Sequence, residues 1–449
     1  MKGIQLFTDP THTHTTREIF PAPPFSGAIH MTPSPEQKTG FLGFGVAITG
    51  ASCYLLHTMP SDTRKSFLNS IYSSKSLALS VGRLSVGSSD YSAELYSYDD
   101  VPFDTNLSHF SIERDEAYII PMIQEILAIN PDLYLFASPW SPPAWMKTGN
   151  SLCGGYMRNE FVECYADYII KFIKAYAAHG IKIRAITPQN EPNTQHNANM
   201  PCCIWHPETE AAFIKALHKK LQENHLSTKI WMFDHNFNDA EPRVLWSLTN
   251  CQGLADSCDG VAFHYYSGTI EQTACLQKAF PHIPLHFTEG GPRLYDHYVD
   301  DWCKWGIMAA KVLGQGYRSF TGWNLLLDET GGPNIGPFLC GGLATLNRQT
   351  GDLSYSGQYR ALSHIAPYVT PASRIRPLYA NFPCEGEMFS YPRHPKTPIG
   401  FVAENDLLPT VAVLINHNDK KAQVQLPLNN TLWYAELPPD SISTLIFEE

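Results

Sequence analysis

Residues 133–140 read LYLFASPW, residues 159–180 read NEFVECYADYIIKFIKAYAAHG, and residues 181–192 read IKIRAITPQNEP. The first and third segments contain short apolar runs followed closely by proline, the composition of buried strands. Between them Phe161, Cys164, Tyr165, Tyr168, Ile169, Phe172, Ile173 and Tyr176 recur at three- and four-residue spacing. This spacing predicts a helix over Asn159–His179, stopped by Gly180, with one apolar face. Strand, helix and strand in this order make a βαβ unit of parallel strands.

The pattern continues in both directions. Further strands are predicted at Phe41–Ile48, Leu77–Val86, Ile230–Asp234, Gly260–His264, Ile283–Thr288 and Arg318–Asn324, which with Leu133–Ser138 and Ile183–Thr187 make eight. Eight βα units imply a closed (β/α)8 TIM barrel over residues 39–369. A shorter helix after Ser111 has Pro121 inside its pattern, so its regular part is predicted to begin at that proline. After Tyr368 the helices stop, and Gly386–Tyr391, Ile399–Ala403, Thr410–Ile415, Ala422–Leu426 and Ser441–Phe447 read as strands. Residues 370–449 are therefore expected to form a small antiparallel β-sandwich, to which the Pro- and Thr-rich segment 1–38 lends a strand.

Composition excludes several roles. A chain of 449 residues with 43% apolar and 17% charged residues has ample core for two domains. Its formal net charge of −11 disfavours nucleic acid as a partner. The first twenty residues lack an apolar signal stretch, and no run approaches the length of a membrane span, so a cytoplasmic protein with no integral membrane segment is expected. Eleven scattered cysteines without a Cys-x-x-Cys pair suggest free thiols rather than a disulfide framework or zinc knuckle. The oligomeric state is not legible.

In such a barrel the active site gathers where strands end. Those ends are Ser88-Ser89-Asp90, Ser138-Pro139-Trp140, Thr187-Pro188-Gln189-Asn190-Glu191-Pro192, His264-Tyr265-Tyr266, Phe287-Thr288-Glu289-Gly290 and Gly322-Trp323-Asn324. Glu191 and Glu289 close strands four and seven. Glycoside hydrolysis needs such a pair of carboxyls flanking the scissile bond, and Trp140, Tyr266 and Trp323 offer stacking surfaces for a sugar ring. Taken singly, each glutamate reads more readily as a helix cap or surface charge than as a catalyst; their joint placement makes a catalytic pair.

The segments ASPWSPPAWMKT (137–148), TPQNEP (187–192) and FTE (287–289) resemble the signature segments of glycoside hydrolase family 30, nearest to its glucosylceramidase-type members. Gly43-Phe44-Gly45, Arg83 with Asp90, Phe263-His264-Tyr265-Tyr266, Trp323-Asn324 with Gly331-Gly332-Pro333-Asn334, and the final Leu437–Leu445 resemble it too. The resemblance implies a retaining, exo-acting hydrolase of small β-glucosides working through a covalent glycosyl-enzyme, with Glu191 as acid/base and Glu289 as nucleophile. It implies sugar contacts from Asp90, Trp140, Asn190, His264, Tyr266 and Trp323, with Arg83 and His264 in the shell that supports the carboxyls. No cofactor and no metal are expected.

Physical roles add expectations of their own. Glu191 needs a raised pKa to be protonated at neutral pH, and Arg83 is the counter-charge for an ionised Glu289. The stretch His196–Pro207, with Cys202, Cys203 and Trp205, is expected to border the leaving group. That stretch and the expected cytoplasmic location weaken the case for ceramide as aglycone. β-Xylosides and β-fucosides remain open as substrates. Asp234, His235, His264 and His286 are the alternative, as metal ligands, but they form no known spacing. A non-hydrolytic sugar-binding barrel is the alternative from another class.

Overall fold

Three strands open the chain: β1 (Gly3–Asp9), β2 (His12–Ile19) and β3 (Ile29–Pro33). Eight more follow: β4 (Gly43–Ala47), β5 (Val81–Val86), β6 (Tyr134–Pro139), β7 (Ile183–Ile186), β8 (Lys229–Asn236), β9 (Gly260–His264), β10 (Leu285–Glu289) and β11 (Ser319–Gly322). These eight form a closed barrel in the order β10-β11-β4-β5-β6-β7-β8-β9. All residues of β4, β9, β10 and β11 are buried, as parallel strands covered on both faces require. The computed structural model describes residues 2–381 and 397–447, so the strand expected at Gly386–Tyr391 lies outside the described residues.

The predicted helix runs from Val162 to Ala178 after a 3-10 turn at Asn159–Phe161, and its buried side includes Tyr165, Tyr168, Ile169, Phe172 and Tyr176. The helix containing Pro121 begins two residues earlier than expected, at Ile119. Pro121 is its third residue, still within the first turn, where no intrahelical N–H bond is lost.

Three short strands, β12 (Leu326–Asp328), β13 (Ala344–Leu346) and β14 (Leu353–Tyr355), make a small sheet. The last six are β15 (Arg374–Asn381), β16 (Ile399–Glu404), β17 (Thr410–Asn416), β18 (Ala422–Leu428), β19 (Thr431–Leu437) and β20 (Ser441–Phe447). With β1–β3 they form one nine-stranded sheet, ordered β19-β18-β3-β15-β16-β17-β20-β1-β2. The N-terminal segment thus supplies three strands where one was expected. The sandwich is one continuous sheet folded on itself: Ile19 of β2 and Trp433 of β19, at opposite ends of the order, share a core with Val402, Leu414 and Phe447.

Contacts divide the chain into two units, Phe44–Tyr295 with Ser319–Ser354, and Met1–Gly43 with Asp296–Arg318 and Tyr355–Glu449. The helices Trp302–Gly314 and Gly357–Ile365, inside the 39–369 span assigned to the barrel from sequence, therefore group with the sheet. Gly306 shows why. A Cβ there would stand 3.0 Å from Ile415 and 3.1 Å from Ile442, so the helix backbone lies directly on β17 and β20.

Candidate active site

The C-terminal ends of the barrel strands enclose a cavity of about 310 Å³ lined by Asp90, Trp140, Asn190, Glu191, Tyr266, Glu289 and Trp323 from the predicted set. His196, Met200, His235, Asn236, Arg293, Phe338 and Cys340 also line it, and the sequence reading gave none of them a role toward the sugar. Arg83 and His264 stand behind this wall.

Asp234 organises the buried layer. Its carboxylate accepts from Arg83 Nη2 at 2.9 Å, His264 Nε2 at 3.0 Å, Thr288 Oγ1 at 2.6 Å and Ser138 Oγ at 2.8 Å. Thr187 Oγ1 also lies 2.8 Å from its Oδ2. Burial alone would raise the Asp234 carboxyl, but Arg83 and His264 hold it well below the usual carboxylate range. Sequence reasoning weighed Asp234 only as a metal ligand. Its position is unusual for a strand: Phe233 and Asp234 have φ of 76° and 78°, and the pairing of β8 with β9 shifts there, turning Asp234 inward.

Arg83 is fully buried and each of its three nitrogens donates. Nη1 donates to Glu289 Oε2, Nη2 also donates to Asn190 Oδ1 at 2.8 Å, and Nε donates to Ser138 Oγ at 3.1 Å. Its guanidinium lies 4.8 Å from the Trp140 ring centroid and 5.4 Å from that of Trp323, whose rings stack 5.1 Å apart. The counter-charge expected beside Glu289 is therefore present. Tyr266 donates its hydroxyl to Glu289 Oε1 at 2.8 Å, and burial together with Glu289 keeps that hydroxyl protonated, well above its ordinary range. Gly291 lets Trp323 close on this corner, since a Cβ there would meet Trp323 Cβ at 2.8 Å.

Glu191 leaves β7 through a tight crossing. Its φ is 51°, its N–H donates to the Asp234 carbonyl at 3.0 Å, and Asn190 N–H donates to the Pro139 carbonyl at 2.7 Å. One carboxylate oxygen of Glu191, one of Glu289 and a ring nitrogen of His264 all lie within 4.8 Å of one another.

Three imidazoles from three segments face Glu191: His264 Nδ1 at 3.1 Å from Oε1, His196 Nε2 at 2.6 Å from Oε2, and His235 Nε2 at 3.5 Å from Oε1. This overturns the expectation of a raised Glu191 pKa. Burial does push that carboxyl up, but the imidazoles outweigh it and hold the carboxyl well below the usual range.

The three rings differ. His264 was expected to touch the sugar, yet it is wholly buried and both its nitrogens face carboxylates, Glu191 and Asp234, leaving none for a ligand. Burial opposes its charge, but Glu289, Asp234 and Glu191 push it up to about 9, so it is an imidazolium at neutral pH. Burial drives His235 down to about 4; it is neutral, and its ring is tied to Asn193 and Asn236. His196 is raised: burial lowers it, while Glu191, with Asp90 and Glu289 beyond, overcomes that. His196, Asn197 and Ala198 take successive φ values of 43°, 54° and 56°. Left-handed backbone costs roughly 1–2 kcal/mol per non-glycine residue, so holding this ring in place is expensive.

Asp90 closes the opposite side. Burial, with Glu289 and Glu191 nearby, pushes its carboxyl up to about 8, so it is neutral at pH 7. Its Oδ1 is buried without a partner beside the cavity. Asn190 offers its amide NH2 there too, because Arg83 occupies its carbonyl oxygen. These groups can bind ring hydroxyls, the stacked tryptophans can hold a sugar face, and the two glutamates can act on opposite sides of one bond.

Of the stretch expected to border the leaving group, His196 and Met200 line the cavity. Cys202, Cys203 and Trp205 do not; they are buried, with Trp205 packed on Phe213 and donating to Gln189. The alternative metal set does not converge either. His286 stacks on Trp231 with ring centroids 3.6 Å apart and faces Ser319. His196 was placed from sequence only within the stretch bordering the leaving group, not against Glu191, and Phe338 was given no role, because both come from loops with no strand-end signature.

A family model described as "Glycosyl hydrolase family 30 TIM-barrel domain" matches residues 41–338. The crystal structure of SrfJ from Salmonella typhimurium is 27% identical with a TM-score of 0.89, and that of the endo-beta1,6-glucanase BT3312 is 27% identical with a TM-score of 0.84; both comparisons cover 100% of each chain. The lysosomal acid glucosylceramidase of Mus musculus is 30% identical over 329 residues, 68% of this chain and 63% of that protein.

Proposed function

Because the chain belongs to glycosyl hydrolase family 30 and is a glycoside hydrolase, we propose that it is a retaining, exo-acting β-glucosidase with Glu191 as acid/base and Glu289 as nucleophile. One observation carries this reading. The carboxylate oxygens of Glu191 and Glu289 approach within 4.8 Å. That separation favours direct attack over a water-mediated one, since carboxyls stand about 5–5.5 Å apart in retaining enzymes and about 6.5–9.5 Å apart in inverting ones.

Glu289, held by Arg83 and Tyr266, attacks the anomeric carbon while Glu191 protonates the departing oxygen. Water, deprotonated by Glu191, then releases the sugar from Glu289 with a second inversion. Asp90, Asn190, Trp140 and Trp323 grip the ring. The cavity of about 310 Å³ sits at the lower end of the roughly 300–1,000 Å³ of small-molecule sites, which supports removal of a terminal sugar over binding of a long chain.

The test is turnover of an aryl β-glucoside. Glu289→Gln abolishes it, and Glu191→Ala keeps activity only towards activated leaving groups. Undiminished turnover by Glu289→Gln refutes the assignment, and wild-type activity confined to β-xylosides refutes glucose. A second reading, cleavage of β-1,6-linked glucan, is favoured by the likeness to an endo-beta1,6-glucanase along the whole chain. Internal fragments from β-1,6-glucan would select it; monosaccharide alone would select exo action.

A further inference from the structure

The acid/base role of Glu191, on which any role for His196 in turnover rests, meets a difficulty in the low proton affinity of that carboxyl. An acid must carry a proton when substrate arrives, yet His264 already gives Glu191 Oε1 a charged donor. The other oxygen, Oε2, is the one 2.6 Å from His196 Nε2. His196 belongs to no strand. It is carried into the cavity by three consecutive left-handed residues, and its ring is held edge-on against Phe338 with centroids 5.4 Å apart.

We propose that His196 is a positioning residue that shares the acid/base proton with Glu191, storing it between turnovers and returning it to Oε2 when the glycosidic bond breaks. The charges of the site fit this. Facing the pair are Asp90 from the β5 loop, Glu289 on β10, His235 on β8 and His264 on β9. Asp90 and His235 are neutral at pH 7. Arg83 and His264 are cations, and Asp234 and Glu289 are their partners. Glu191 then needs one more positive charge to leave the buried cluster neutral, and a protonated His196 supplies it.

In the first step the Nε2 proton moves to Oε2 and on to the departing oxygen. The electron pair of the anomeric C–O bond goes to that oxygen, and a Glu289 oxygen bonds the anomeric carbon. In the second step a water oxygen bonds that carbon and the bond to Glu289 breaks. The water proton passes to Oε2 and back to Nε2, restoring the pair.

The experiment is the pH dependence of kcat/KM for the wild type, His196→Gln and His196→Gly, with phenyl and 2,4-dinitrophenyl leaving groups on whichever sugar the wild type accepts. Glycine suits the φ of 43°, so the second variant keeps the backbone where glutamine strains it. Without His196 the proton rests on a carboxyl facing an imidazolium alone, and the alkaline limb moves down by about one pH unit or more. The loss is larger for phenyl than for dinitrophenyl, which departs without acid help. Added imidazole returns the limb of His196→Gly towards that of the wild type. An alkaline limb that coincides in all three proteins overturns the proposal alone. A wild type that cleaves no aryl β-glycoside overturns instead the functional reading beneath it.

Discussion

Replacing Arg83 with methionine keeps most of the stem and removes the charge from a side chain with no exposed surface. Glu289 then loses its nearest cation, Asp234 keeps only His264, and Asn190 and Ser138 lose a donor. Breaking one buried pair costs about 3–5 kcal/mol, because it strands a charge in low dielectric. With one acid stranded and a second left with His264 alone, the upper half of that range applies. At about 2 °C per kcal/mol for a unit of this size, the melting temperature of the barrel falls by about 8–10 °C.

The deficit has a pH signature. In the wild type Asp234 is depressed, so its contribution is present above the unfolded carboxylate range near 3.9 and is lost only as pH falls through its lower folded value. In Arg83→Met the burial that raises this carboxyl is no longer outweighed by the guanidinium, so Asp234 takes up a proton above the unfolded range. The gap between the two proteins is therefore wide at pH 8 and narrower at pH 5. Scanning calorimetry at both values measures it, and adding Asp234→Asn to the variant recovers part of the loss. A variant melting within about 2 °C of wild type at pH 8, or a gap that does not narrow at pH 5, refutes this account.

Asp90 is neutral at pH 7, so Asp90→Asn preserves its shape and polarity. It holds kcat/KM within a few-fold, whereas Asp90→Ala leaves hydroxyls unpaired and costs roughly 10–100-fold; equal losses in steady-state assays would show a charged Asp90. His264 is raised to about 9, so its stabilising contribution is complete below about 6.5 and disappears as pH rises through about 9. Wild-type melting temperature accordingly declines between pH 7 and 10, and His264→Gln shows a flatter profile; parallel profiles contradict the assignment. Buried Asp115 accepts from Tyr96, Tyr98 and Tyr176, each hydroxyl at 2.6 Å. Asp115→Leu orphans all three and costs at least about 3 kcal/mol in urea unfolding, against about 1–1.5 kcal/mol for Tyr98→Phe.

The barrel was legible because each of its strands is a short apolar run ending in a polar cluster, and such runs survive reading without knowledge of neighbours. β9 was placed to the residue. Glu191 and Glu289 were visible for the same reason. Asp234 was not, because its importance comes from Arg83, His264, Thr288 and Ser138 converging from four other strands, and a local pattern carries no trace of that. The proton affinity of Glu191 was misjudged on similar grounds: His196, His235 and His264 are 5, 44 and 73 positions away in sequence, and meet only in the fold. The N-terminal strands were underread because β2 alternates Thr and His on a half-exposed surface, without the apolar alternation that marks a core strand.

The place of β1 in the nine-stranded sheet has a consequence for how the chain is made. β1 lies between β2 and β20, and Gln5 meets Ser443 across 438 residues of chain. A ribosome adding about 5–20 residues per second takes roughly 20–90 s to cover that distance. Throughout that interval the β1–β2 hairpin leaves the tunnel with one edge bare, while the barrel segments emerge behind it and are free to close. A lone hairpin is marginal in water and its open edge is a template for wrong partners. The threonines, histidines and charged Arg17 and Glu18 of β2 keep the hairpin's other strand polar while β1 waits for β20.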